Sequence, residues 1–434
     1  MLKNHNVFFI VFFLIIAGGI SRVSYAQRSS NSPYSRYGVG DLHTAGFGES
    51  PALGNIGIGW RTKNQINYLN PAAYSSQDTM TFLFDAGLTG GYTNYKSNEL
   101  EFSRYNMQID HLAISFPITK WWATSVGLLP YSSVGYNILE QSNVIINNNG
   151  EDRSVLTDYI YEGSGGLNRI YLGTGIKLGK YVSAGVNASY IFGAQNINSI
   201  TQLPFEENHA QLVVERDLII NDFIITSGIQ AFTPLGNNIE LTVGATIDLE
   251  TNLTAYESVF SRTIIPVENG AITDTIQNYD SEETDITIPL KYGVGFSLSY
   301  KNMMRFGFDY TQQDWSKTRL FGSSDPLAAS QSVHFGAEYI PDVTSVRRYI
   351  DRVRFRAGAH YADTYLQIKD EQLKDYGISF GLGLPMKGNN TMFNIGFLLG
   401  KRGTLDQGLI EETYGKVSLN ITFSDFWFFQ RRID

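Results

Sequence analysis

Between Asn238 and Thr251 the chain alternates strictly. Ile239, Leu241, Val243, Ala245, Ile247 and Leu249 occupy one set of positions, and Glu240, Thr242, Gly244, Thr246, Asp248 and Glu250 the other. A two-residue period puts each set on one face of a β-strand. One face is unbroken aliphatic, and the other carries three carboxylates, two threonines and a glycine. A soluble sandwich could bury the apolar face. A transmembrane barrel would turn it to lipid, with strands of about 9–11 residues.

The same pattern recurs along the chain. The alternation predicts about fourteen strands, over residues 81–96, 105–118, 120–136, 166–178, 181–194, 221–234, 238–251, 285–300, 303–314, 330–340, 351–363, 374–384, 391–401 and 413–429. Gly179-Lys180, Gly236-Asn237 and Lys301-Asn302 mark tight turns. Between them fall long polar stretches, 137–165, 195–220, 252–284 and 315–329. Alternating long and short connections is the rhythm of an outer-membrane barrel, with long loops outside and short turns in the periplasm. The fold expected is therefore all-β, a transmembrane antiparallel barrel of about fourteen strands over 81–434.

Residues 27–80 carry no sustained alternation, yet Ile56, Ile58, Trp60, Ile66, Tyr68 and Leu69 are too apolar for a solvated tail. A barrel of this size is too wide for its own side chains to fill, since about eight strands already reach that limit. This segment is expected to be an N-terminal plug, or hatch, in the lumen. Residues 1–26 read as a signal peptide. Lys3 and His5 precede the apolar run from Val7 to Ile16, and Ser24-Tyr25-Ala26 forms a small-x-small cleavage site. A membrane anchor is the other reading of that run, but it is short and Gly18-Gly19 interrupts it.

Composition narrows the functions. The 434 residues include 42 glycines, 26 tyrosines and 27 phenylalanines and only 17% charged residues, which suits a barrel with aromatic girdles. Without cysteine there is no disulfide, thiolate metal site or lipoprotein anchor. Removal of the leader takes Lys3 and Arg22 and moves the formal charge from −9 to −11, a balance that argues against nucleic acid. The six histidines show no metal spacing, and no serine sits in a nucleophile motif, so neither a cofactor nor an enzyme is expected.

Asn70-Pro71-Ala72-Ala73 lies just before the first strand. With a plug ahead of about fourteen strands, this resembles the FadL family of outer-membrane transporters for long-chain fatty acids and other hydrophobic compounds. The resemblance spans essentially the whole mature chain, and the opening Asn31-Ser32-Pro33-Tyr34 and the C-terminal end resemble versions from Bacteroidota. It implies a hatch motif at Asn70, Pro71 and Ala72. Read from the residues alone, the same tripeptide is a strand-entry turn whose asparagine caps nearby backbone. The family also implies a kink in the third strand that opens the wall toward lipid. Gly127 and Pro130 fall there, and proline is confined to edges, bulges or strand ends. A wall opening and a strand end at the rim both stand.

Arg352, Arg354 and Arg356 share one face, with His360 beyond. They could meet a lumenal anion such as a fatty-acid head group. Glu240, Asp248, Glu250, Asp309 and Glu338 should also face inward, so a structural charge lattice is the alternative. The last strand ends in Phe426-Trp427-Phe428-Phe429, as in barrels handed to an outer-membrane insertion machine, and both termini are expected in the periplasm. The resemblance implies passive uptake of a hydrophobic small molecule, captured among the outer loops and released sideways through the wall, by a barrel seated in outer-membrane lipid. The competing function is that of a partner subunit in an outer-membrane secretion or assembly machine, of the type IX kind.

Overall fold

The computed structural model describes residues 31–148, 151–202, 211–267, 270–280, 284–316, 318, 327–386 and 390–426. Fourteen antiparallel strands form one closed ring. They are β1 (Thr81–Lys96), β2 (Glu101–Pro117), β3 (Trp122–Asn148), β4 (Glu151–Leu178), β5 (Val182–Gln202) and β6 (Gln211–Leu235). Next come β7, in two pieces (Ile239–Asp248 and Thr251–Val267), and β8, in three (Gly270–Asp280, Thr284–Ile288 and Lys291–Tyr300). The ring continues with β9 (Met304–Asp314), β10 (Ala329–Tyr339), β11 (Arg354–Ile368), β12 (Glu371–Pro385), β13 (Met392–Arg402) and β14 (Glu411–Phe426). Closure is made by β14 on β1, in register from Glu411↔Lys96 to Phe426↔Thr81. Each of the fourteen predicted strands falls on one of these.

The burial is inside out relative to a soluble protein. Along the last piece of β8, Tyr292, Val294, Phe296, Leu298 and Tyr300 are exposed, while Gly293, Gly295, Ser297 and Ser299 are buried. In β7, Ile239, Val243 and Ile247 are exposed and Thr242 and Gly244 buried. Small and polar side chains face in and large apolar ones face out, as a lipid-facing wall requires. None of the described helices is long and apolar enough to cross a membrane.

The long polar stretches differ from expectation. Three of the four are strand rather than loop. β3 and β4 stay paired out to Asn148↔Glu151, β5 and β6 to Thr201↔Leu212, and β6 and β7 to Gln211↔Ile264. Beyond the lipid no face need be apolar, so the alternation that marks a strand disappears while the backbone ladder continues. Much of 315–329, the aromatic tail past Phe426 and the leader lie outside the described residues.

The N-terminal segment is built from three short 3-10 turns, Pro33–Arg36, Ser50–Leu53 and Pro71–Ser76. Its side chains meet groups on well-separated strands of the ring, from Asn187 on β5, bonded by Tyr74, to Glu412 on β14, bonded by Ser32. Ser32 bonds Glu412 and Tyr34 bonds Ile410, at the end where β14 begins. Gln77 bonds Ser115 at the opposite end, beside the short turns. The described chain therefore enters at the long-connection end and descends to β1. The expected periplasmic N-terminus itself lies outside the described residues.

Candidate functional site

Four features could carry function: the anchor at Asn70, a buried ion lattice, a parting of the wall, and the closed mouth.

Asn70 is fully buried and extended, as the following Pro71 demands. Its Oδ1 accepts the Ala72 N–H at 3.1 Å, capping the turn Pro71–Ser76. Its Nδ2 donates to the carbonyls of Ile58 at 2.9 Å and Ile229 at 3.2 Å. One side chain thus joins the turn, the segment above it and strand β6. Arg61 completes the anchor. It donates to the Ala72 carbonyl, Ser183, Gln230 and Ser75 at 3.0–3.1 Å, and lies 4.3 Å over Phe232. Sequence reasoning missed Arg61, because a cation in an irregular segment has no period to betray it. The wall is scooped for this contact. A Cβ on Gly185 would meet the Pro71 carbonyl carbon at 2.4 Å, and one on Gly244 the Ile58 oxygen at 2.0 Å.

Above the anchor, Asp309 accepts the N–H groups of Gly57, Ile58 and Gly59 at 2.6, 2.8 and 3.3 Å, an anion in a backbone nest. The expected arginine row does not act as a unit. Arg356 is buried and fully engaged: Nε donates to Glu338 at 2.8 Å, Nη1 to Asn394 at 2.6 Å and Nη2 to Glu49 at 2.9 Å. Glu49 also accepts the Trp60 indole N–H at 2.7 Å. Arg354 reaches only Glu338, at 3.4 Å. Arg352 lies outside the strand, in the turn Tyr349–Arg352, over the Tyr349 ring. His360 faces Tyr414 at 3.3 Å and Asp375 at 3.5 Å. Glu338 and Asp309 are buried as expected, and Arg356 with Glu338 ties the N-terminal segment to β10, β11 and β13. Each of the three Arg356 nitrogens already donates to a protein acceptor.

The wall parts beside Pro130. β2 and β3 pair only from Leu112↔Leu128 to Pro117↔Ala123. Gly127 lies in this paired part, and Pro130 just past it. A bulge follows between Pro130 and Ser132, while β3 stays with β4 and runs on to Asn148. Pro130 is therefore inside a strand, not at its end. The N-terminal segment takes the freed edge of β3: Asp41 and Leu42 pair with Ser133 and Ser132, and the His43 N–H donates to the Tyr131 carbonyl at 3.0 Å.

A lumenal cavity of about 390 Å³ remains around the segment, and Arg169, Asp248, Lys291, Asp363, Arg402 and Lys416 are among its lining groups. At the mouth an apolar cluster gathers Trp315, Tyr365, Ile220, Leu253 and Ile286 around Tyr34 and Val39 of the segment. Among the described residues no group of acidic or histidine side chains is placed to hold a metal ion.

The comparisons follow the geometry. A family model described as BamG matches residues 1–434, so the chain belongs to the BamG family. No curated protein sequence matches it. Among solved structures it is similar to the CymD monoaromatic hydrocarbon channel, at 14% identity and a TM-score of 0.55 over 88% of this chain and 99% of that one. It is similar to the Pseudomonas putida toluene transporter TodX at 13% identity, TM-score 0.55, over 90% of this chain and 100% of that one. A Pseudomonas aeruginosa FadL homologue aligns at 11% identity and TM-score 0.53, over 90% of this chain and 99% of that one. At such identities these likenesses give the fold, a FadL-type outer-membrane barrel.

Proposed function

Starting from membership of the BamG family, we propose that this barrel works as a partner subunit of an outer-membrane assembly or secretion complex, with the N-terminal segment as a fixed plug. The observation that carries this reading is how the lumen is filled. The segment is tied to the wall by the buried Glu49–Arg356–Glu338 lattice and the Asn70 and Arg61 anchors. Charged groups stand among a mainly apolar lining in the space that remains, and an apolar cluster covers its mouth. Paired strands projecting past the lipid, β3 with β4 and β5 with β6, supply docking surface. The test is purification of the tagged full chain in mild detergent. A stoichiometric membrane partner supports the reading, and a solitary barrel defeats it.

Two observations favour passive uptake of hydrophobic compounds instead. The wall parts at Pro130, and the similar structures include a monoaromatic hydrocarbon channel and a toluene transporter. In that reading Gly127 and Pro130 shape a lateral exit, Asn70, Pro71 and Ala72 hinge the hatch, and the ligand is an aromatic or fatty-acid-like molecule. Reconstituted vesicles that take up toluene faster with this protein than with an unrelated barrel would favour uptake.

A further inference from the structure

The parting at Pro130 leaves two lips, and they are not alike. At the level of Ser132 and Ser133 the β3 lip is covered by Asp41 and Leu42. The β2 lip is bare. From Glu101 to Asp110, β2 pairs with β1 on one side, and among the described residues no ladder runs along the other. Tyr105 on this edge is 79% exposed, against 38–64% for outward residues of the paired wall such as Leu298 and Leu172. The edge reaches from the paired base at Leu112 to the aromatic level of Tyr92 and Tyr105, whose rings are 5.1 Å apart. Within lipid no water satisfies the open N–H and C=O groups of a ladder. Lipid cannot repair that edge; a strand can.

We propose that this edge of β2 seats one strand contributed by a different outer-membrane protein, by β-augmentation. The inference rests on the partner-subunit reading. The chemistry of the incoming strand is set on both faces. Toward lipid it must be apolar, to continue Tyr105, Met107 and Ile109. Toward the lumen it meets Asn106, Gln108 and Thr89, with Gln108 already 3.5 Å from His43, so hydroxyl and amide side chains fit there. A second copy of this chain does not suit the edge. Inserted in the same sense, it presents its own β2 running in the same direction, so the antiparallel ladder used throughout the wall cannot form. Its β3, which runs the other way, has its edge covered beside Pro130 by Asp41 and Leu42.

The test places a photo-crosslinking amino acid at Tyr105 or Met107 of the full chain in living cells. Phe296 and Leu298 on another part of the wall serve as controls, with Ile145 on the projecting β3. Heat-shifted gel mobility confirms that each variant is a folded barrel. The expected result is one adduct of defined mass from positions 105 and 107, containing another membrane protein, and none from 296 and 298. An adduct between two copies of this chain would overturn the proposal. So would adducts arising from 145 alone, or none at 105 and 107, while the partner still copurifies; the seat would then lie elsewhere and the partner reading survive. A barrel that purifies alone would remove both.

Discussion

Replacing Asn70 by alanine tests whether one side chain holds the N-terminal segment to the wall. The change deletes the cap on Ala72 and two bonds to the buried carbonyls of Ile58 and Ile229. Loss of a cap costs about 1 kcal/mol. Losing the two Nδ2 bonds adds about 1 kcal/mol each, the Ile58 carbonyl keeping the Gln230 amide as a donor at 3.0 Å. A combined loss of about 3 kcal/mol raises local opening by roughly a hundredfold, since each 1.4 kcal/mol is tenfold. The expected outcome is amide exchange accelerated by that factor over residues 56–73, with the strands unchanged. Asn70→Asp separates the terms, because it keeps the acceptor for Ala72 and loses both Nδ2 donors. Exchange over 56–73 that matches the wild type in both variants would refute the anchor, and with it the idea that the tripeptide is more than a strand-entry turn.

Deleting residues 29–68 should leave the barrel folded and raise single-channel conductance in planar bilayers; a deletion protein as silent as the full chain would rule out the plug. Arg356→Met leaves buried Glu49 without a cation and Glu338 with Arg354 alone, a loss of about 3–5 kcal/mol, and should expose residues 49–60 to protease while the heat-shifted barrel band persists. Gly185→Val puts a side chain where Pro71 now lies, and should release the anchor as fully as Asn70→Ala does, read by the same exchange measurement. Asp309→Asn keeps its shape but presents a neutral acceptor, and should weaken protection of Gly57, Ile58 and Gly59 by roughly fivefold, on the basis that charged hydrogen bonds are worth more than neutral ones by about 1 kcal/mol.

The strands were legible because lipid imposes contrast. In Ile239–Asp248 every second residue must satisfy hydrocarbon, and that is what a two-residue period records. Where the lipid stops, as in the outer reach of β4 from Glu151, the contrast ends and the strand reads as loop. The proline at 130 was legible as a break in pairing, but not the bare β2 edge opposite, since a strand's second partner leaves no mark on its own residues. The arginine row showed its direction but not its use. Glu49, which claims Arg356 from 307 residues away, sits in an aperiodic turn. Nothing in the sequence around Ser32 told which end of the ring it would meet.

That placement bears on how the molecule comes to be. Ser32 reaches Glu412 across 380 residues, and the ring closes where β14, the last strand, meets β1, the first. The segment precedes every strand in synthesis and lies along the lumen with contacts at both ends. Its bonds to Glu412 and Ile410 can form only when β14 is in place, so this end of the segment is fixed together with the last strand.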